Sequence, residues 1–262
     1  MSSTPIRFDD GAAYERYMGR WSQQAGRVFL DWLSPARRQR WLDVGCGNGA
    51  FTELVAECCE PASIHGVDPS EAQLSYARSR SKAAHTQFSP GDAMALPFPD
   101  DSFDVAVMPL VIFFVPEPVR GVAEMARVVA PGGVVCAYAW DLPGGGFPYE
   151  MLHTEIRDMG FDVPTAPHPD AARADELSRL WAHAGLHDID TVEIEVQRTF
   201  ADFDDYWITV QRGPSVVGAL STLSAGAIDR LKAGLRERLG VQGDESFTCS
   251  ARANAVKGCV PN

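Results

Sequence analysis

The 262-residue chain carries 23 lysines and arginines against 35 aspartates and glutamates, a formal net charge of −12. A balance this acidic repels a phosphate backbone, whose recognition depends on neutralisation by Lys and Arg, so nucleic acid is excluded as an expected partner. An apolar content of 45% suffices for a sizeable core and excludes wholesale disorder.

The opening residues through Arg16 show no basic-then-apolar leader. The longest apolar run, Val105 to Val115, is broken by Pro109 and falls far short of the roughly 20 residues of a membrane helix. A cytoplasmic protein without membrane contact is expected. Six cysteines, Cys46, Cys58, Cys59, Cys136, Cys249 and Cys259, form neither a C-x-x-C pair nor a disulfide framework and read as reduced, structural thiols.

From residue 27 to residue 140, short β-rich runs alternate with helical stretches, the pattern of parallel strands joined by crossover helices. Trp41 to Val44 is the first predicted strand. It stops at a glycine cluster, and Phe51 to Cys59 then shows helical spacing. Ser63 to Val67 is the second strand, Ser70 to Lys82 a helix, Thr86 to Ser89 the third strand and Phe103 to Met108 the fourth. Pro118 to Val129 reads as a helix, and the breaker Pro131-Gly132-Gly133 introduces a fifth strand, Val134 to Trp140.

Beyond Asp141, Gly144 to Gly146 and prolines at 143, 148, 164, 167 and 169 interrupt any long element, which suggests a mobile cap. A helix over Asp175 to Gly185 follows. Thr191 to Phe200 and Phe247 to Val256 alternate like strands and are expected to close the sheet as an antiparallel edge pair, with helices between them broken at Gly213-Pro214. The expected fold is α/β, a doubly wound, mostly parallel seven-stranded sheet. Its expected parts are an N-terminal helical segment at 1–26 and one domain over 27–262, with cap insertions at about 141–172 and 201–245.

The strongest constellation is Trp41-Leu-Asp-Val-Gly45-Cys-Gly47-Asn-Gly49, in which glycines let the backbone approach a nucleotide-like ligand at the head of a helix. Gly45, Gly47 and Ala50 also satisfy the looser dinucleotide fingerprint. Charge separates the two. Asp43 would repel the pyrophosphate of a dinucleotide, whereas S-adenosylmethionine presents a cationic ammonium and sulfonium that Asp43 can attract. Asp68, at the end of the second strand, is spaced from Gly45 as a ribose partner is, and reads equally well as a cap for the next helix. Asp92, in Gly91-Asp92-Ala93-Met94, follows the third strand and can accept an adenine amino group.

With these residues the chain resembles the class I S-adenosylmethionine-dependent methyltransferases, in particular the small-molecule group that includes ubiquinone-biosynthesis and arsenite-type enzymes. The resemblance rests on LDVGCGNG at 42–49, GVDPSEAQLSYAR at 66–78, GDAMALPFPDDSFDVAV at 91–107 and EMARVVAPGG at 124–133. It implies that Asp43, Gly45 and Gly47 hold the methionine end, Asp68 and Pro69 the ribose and adenine edge, and Asp92, Ala93 and Met94 the adenine, with Pro109 flooring the pocket. The segment Tyr14 to Trp21 resembles one that folds over the cofactor, where Arg20 pairs with the methionine carboxylate or simply stays solvated. Leu110 to Val115 lacks the histidine that many relatives carry at the fourth-strand exit.

Methyl transfer from a sulfonium has a good leaving group, so alignment can supply much of the rate and a base is optional. His153, Tyr138 and Asp141 are the candidate bases, and Phe113, Phe114, Trp140, Phe147 and Tyr149 suggest an apolar pocket for a small-molecule acceptor. His183 and His187 sit four apart, but Gly185 ends the helix between them and no third ligand is near, so no metal is expected. Two rival functions share the sheet: a nicotinamide-dependent oxidoreductase and a non-catalytic S-adenosylmethionine-binding protein.

Overall fold

A computed structural model of the protein describes residues 15–80, 85–211 and 213–262, and for Glu15 and Arg16 the backbone alone. Most of the opening segment up to Tyr14, and the end of the helix predicted to reach Lys82, lie outside the described residues. The strands are β1 (Arg40–Val44), β2 (Ser63–Asp68), β3 (Thr86–Pro90), β4 (Phe103–Pro109), β5 (Val129–Trp140), β6 (His187–Phe200) and β7 (Phe247–Cys259). They form one sheet in the order β3-β2-β1-β4-β5-β7-β6. β1 to β5 pair in parallel, and β7 runs antiparallel to both β5 and β6. The predicted antiparallel edge pair is present: β7 lies between β5 and β6, and β6 forms the edge.

Burial explains the placement. On β6, Ile194, Val196, Arg198 and Phe200 are buried while Glu193, Glu195, Gln197 and Thr199 are exposed, the alternation of a strand with one wet face. On β7, Ala251 and the run Ala253 to Val256 are buried, as an interior strand requires. β1 and β4 are buried throughout their central residues, from Trp41 to Val44 and from Val105 to Pro109, and read as continuous apolar runs apart from Asp43.

The helices are α1 (Arg20–Leu33), α2 (Ala50–Cys58), α3 (Glu71–Arg80), α4 (Pro118–Val128), α5 (Glu150–Asp158), α6 (Ala174–His183), α7 (Phe203–Val210), α8 (Val217–Thr222) and α9 (Ala225–Leu239). From β1 the chain moves outward through α2 to β2, and from β4 it moves the opposite way through α4 to β5. Right-handed crossovers then put α2 and α4 on opposite faces, where α1 packs on α2 and α6 on α4. The predicted breaker before the fifth strand lies inside β5 as an irregularity: Gly132 has φ +74°, and the pairing with β4 shifts between Phe103 and Val105. In the cap region, which glycine and proline content marked as lacking long elements, α5 forms over nine residues and packs on α9. Reversal of strand order beside β1 opens a crevice at the carboxyl ends of β1 and β4. All six cysteines are unpaired. Among the described residues, no helix is long and apolar enough to cross a membrane.

Candidate active site

β1 delivers the chain into a turn at which Gly45, Gly47 and Gly49 all have positive φ, +75°, +51° and +79°. The Gly45 and Cys46 amides both donate to the Val67 carbonyl, at 2.8 and 3.0 Å, which ties the turn to β2. A Cβ at Gly45 would lie 2.6 Å from Val111 Cγ2, so conformation and space both demand glycine there. At Gly47 nothing stands within 4 Å of a Cβ, and the turn faces open space. Gly45→Ala is expected to destabilise the fold by more than about 1 kcal/mol, read by urea unfolding; a neutral result would show that Val111 and the turn relax freely.

Beneath the turn, Asp43 is 1% exposed. The Thr52 hydroxyl donates to its Oδ2 at 2.5 Å, while Oδ1 is buried with no hydrogen-bond partner. Burial pushes the Asp43 carboxyl up to about 7, helped by the nearby charge of Asp68 and opposed by the Thr52 bond. At the end of β2, Asp68 accepts from the Gly47 amide at 2.9 Å and the Ser70 amide at 2.8 Å, one on each oxygen. It orders the approach to α3, where Ser70 Oγ accepts from the Gln73 amide at 3.4 Å, and braces the turn; it is only partly buried, so it can accept further bonds. Burial raises its pKa against those two bonds.

The next loop is joined to this one by the Gly91 amide, which donates to the Asp68 carbonyl at 3.3 Å. Asp92 is exposed and accepts from the Met94 amide at 2.8 Å, with Ala93 and Met94 half-buried against the core. Pro69 is exposed, and Pro109 is buried at the end of β4. The structure thus brings Asp43, Gly45, Gly47 and Asp68 around one turn, with the Asp92 loop attached to it. Arg20 is exposed at the start of α1 and makes no hydrogen bond or ion pair among the described residues.

Past Pro109, Leu110 adopts φ +59° and its amide donates to the Tyr138 carbonyl at 2.7 Å. This kink turns Val111 onto Gly45 and Leu110 into the wall of a cavity of about 330 Å³. Tyr17, Phe113, Phe114, Trp140 and Phe147 supply the aromatic part of the wall, and Glu150, Arg157 and Asp170 supply charge. One deep polar group is His153, 8% exposed and stacked on Phe147 at 5.0 Å. Its Nε2 lies 2.9 Å from Ser215 Oγ and its Nδ1 lies 3.9 Å from Glu150 Oε2. Burial, with a smaller push from Arg157, lowers its pKa to about 4, so the ring is neutral at ordinary pH.

Residues 42–137 match the family described as a methyltransferase domain. Over that stretch the chain is similar to methyltransferase domains. It is 32% identical to an O-methyltransferase of Penicillium expansum over 62% of this chain and 57% of that one. To a demethylmenaquinone methyltransferase of Bacillus licheniformis it is 41% identical, over 36% of this chain and 42% of the other. The chain thus spans about half the length of these relatives. In structure it is similar to phosphoethanolamine N-methyltransferase 2 of Haemonchus contortus in complex with S-adenosyl-L-methionine. The TM-score is 0.60 at 20% identity, over 97% of this chain and 58% of that one, a likeness of fold.

Of the three candidate bases, the structure puts only His153 in the cavity wall. Tyr138 turns its ring toward α1 and α2, 4.8 Å from Phe29 and 5.8 Å from Phe51. Asp141 is engaged by Arg252, whose Nη2 donates to Oδ2 at 2.8 Å, while Oδ1 accepts from the Gly144 amide at 3.0 Å. It pins the glycine loop to β7 and is corrected from candidate base to loop anchor. Tyr149, expected at the pocket mouth, is fully buried behind it. Ser215 has no motif around it; the only local signal is the Gly213-Pro214 turn that delivers it. His187 pairs with the adjacent Asp188 at 2.8 Å, and no group of three metal-ligating side chains occurs among the described residues.

Proposed function

We propose that this chain binds S-adenosylmethionine against the glycine turn and methylates a small acceptor held in the adjoining cavity. One observation carries the reading: the unpartnered, buried Oδ1 of Asp43 under a turn whose Gly47 faces open space. A buried carboxylate oxygen without a donor is costly unless a ligand supplies one, and a cationic ammonium supplies both charge and N–H. A pyrophosphate at the same turn meets uncompensated negative charge, which disfavours a nicotinamide cofactor.

In this reading Asp43, Gly45 and Gly47 hold the methionine end, Asp68 accepts from the ribose hydroxyls beside Pro69, and the Asp92–Met94 loop meets the adenine. Pro109 closes the floor, and Arg20 reaches the methionine carboxylate. When bound, the donor supplies an electrophilic methyl group on sulfur, with the electron pair of the broken carbon–sulfur bond left on the sulfide. The chain's part is to orient the acceptor and exclude water. Leu110 lines the cavity while its neighbour Val111 packs on Gly45 of the turn, so the two sites meet at adjacent residues, which suits alignment of two reactants. The open cavity also favours an enzyme over a binding protein whose cap fills its own site. A net charge of −12 fits a small-molecule acceptor rather than nucleic acid.

Calorimetry with S-adenosylhomocysteine and NAD tests the reading: the first binds and the second does not. Asp68→Ala is expected to weaken adenosylhomocysteine by on the order of 1.5–3 kcal/mol through loss of charge-assisted hydrogen bonds. Equal binding of both nucleotides, or full affinity in the variant, contradicts it.

A further inference from the structure

Four side chains from three distant parts of the chain meet in the cavity wall. Tyr17 Oη lies 3.4 Å from Ser215 Oγ, Ser215 Oγ lies 2.9 Å from His153 Nε2, and His153 Nδ1 lies 3.9 Å from Glu150 Oε2. Ser215 is 6% exposed and His153 8%. From this geometry, and resting on the donor reading above, we infer that the acceptor is a neutral apolar molecule with a weakly acidic hydroxyl, and that Ser215 and His153 take its proton.

The carboxylate beside Nδ1 favours the tautomer with its proton there, leaving the Nε2 lone pair to accept from the Ser215 hydroxyl. Tyr17 then donates to Ser215 Oγ. An acceptor hydroxyl entering past Phe113 and Trp140 donates to the same oxygen. As its oxygen bonds to the incoming methyl carbon, the acceptor proton passes to Ser215 Oγ and the Ser215 proton passes to Nε2. The products are a neutral methyl ether, the sulfide, and an imidazolium facing Glu150. Glu150 also pairs with Arg157 and so is already engaged beside His153, which leaves Asp170 as the other carboxylate of the wall. His153 is neutral when free, so its Nε2 lone pair is available at ordinary pH, while the same burial makes it a weak base whose imidazolium depends on the facing Glu150. Ser215 is the group that meets the acceptor, and His153 acts through it.

The experiment uses the full chain with 2-naphthol, un-ionised at mildly alkaline pH, and 4-nitrophenol, largely ionised there. Methylation of 2-naphthol is expected to fall about a hundredfold or more in His153→Gln and Ser215→Ala, while 4-nitrophenol, needing no base, falls only a few-fold. Equal losses for both phenols overturn the relay, because a merely structural defect does not discriminate by acceptor acidity. Without turnover, wild-type protein saturated with adenosylhomocysteine should bind 2-naphthol about tenfold more tightly than naphthalene, by fluorescence titration. Equal affinities overturn the inference even if the variants fail to fold. Bound adenosylhomocysteine with no methylation of either phenol sinks the acceptor class alone; absence of adenosylhomocysteine binding sinks the donor reading itself.

Discussion

Replacing Asp43 with Asn is expected to weaken adenosylhomocysteine binding more than tenfold while raising the melting temperature of the ligand-free protein at neutral and alkaline pH. Both effects have one origin. The Asp43 carboxyl titrates at about 7 in the fold against 3.8 in an unfolded chain, because burial disfavours the charged form. A group with a raised folded pKa gives its full stability below the unfolded value and loses it as pH rises through the folded value. For Asp43 the loss runs from about pH 4 to about pH 7 and is complete above that. A shift of this size corresponds to about 4 kcal/mol, of which Asn, leaving its own amide unpartnered, recovers about 1–3 kcal/mol.

At about 2–4 °C per kcal/mol for a chain of this size, the melting point rises by several degrees at pH 8 and hardly at all at pH 4. The ligand effect has the opposite sign. An ammonium near Oδ1 favours the carboxylate, so binding expels a proton near neutrality and tightens as pH rises toward 8. Calorimetry in buffers of different ionisation heat measures that proton, and thermal scans across pH measure the stability. A binding heat independent of buffer, with Asp43→Asn affinity unchanged, would sink the role assigned to Asp43.

The parts that were legible in the sequence are those set by local physics. Three glycines within five residues after an apolar strand announce a turn that needs positive φ, and all three adopt it. β1, apart from Asp43, and β4 announce themselves as apolar runs because both of their faces are covered. What the sequence hides is set by partners far along the chain. β7 alternates as an edge strand would, yet its small residues Ala253 and Ala255 are what let it slot against Trp140 and Tyr138 of β5. Asp141 looked available until Arg252, 111 residues away, claimed it. Ser215 gives no warning of its role because His153, 62 residues upstream, is what gives the hydroxyl meaning. His153 itself was legible as a residue type near the cap, while its neutrality follows from burial that no window of sequence reports.

Tyr149→Phe is expected to cost about 2–4 kcal/mol of stability, although it removes a single oxygen. That hydroxyl donates to the Tyr17 carbonyl at 2.7 Å and accepts from Trp21 Nε1 at 3.0 Å and Arg198 Nη1 at 3.3 Å. Tyr149 and Trp21 are fully buried and Arg198 is 8% exposed, so water cannot replace the lost partner without opening the core. Arg198 is already under-satisfied: its Nε is buried without a partner, and among the described residues it then keeps only Thr209 at 3.4 Å and the Phe200 ring at 4.5 Å. Burial pushes the Tyr149 hydroxyl up to about 12, so it remains a donor at any working pH.

Arg198→Met should cost less than Tyr149→Phe, because it removes the buried charge together with its bonds. The same hydroxyl anchors the backbone of Tyr17, whose side chain walls the cavity beside Met18. Tyr149→Phe should therefore also loosen 2-naphthol binding while adenosylhomocysteine affinity holds. Urea unfolding followed by tryptophan fluorescence measures the first effect and fluorescence titration the second. A stability loss below that of Arg198→Met would mean that the three bonds to this oxygen do not act together.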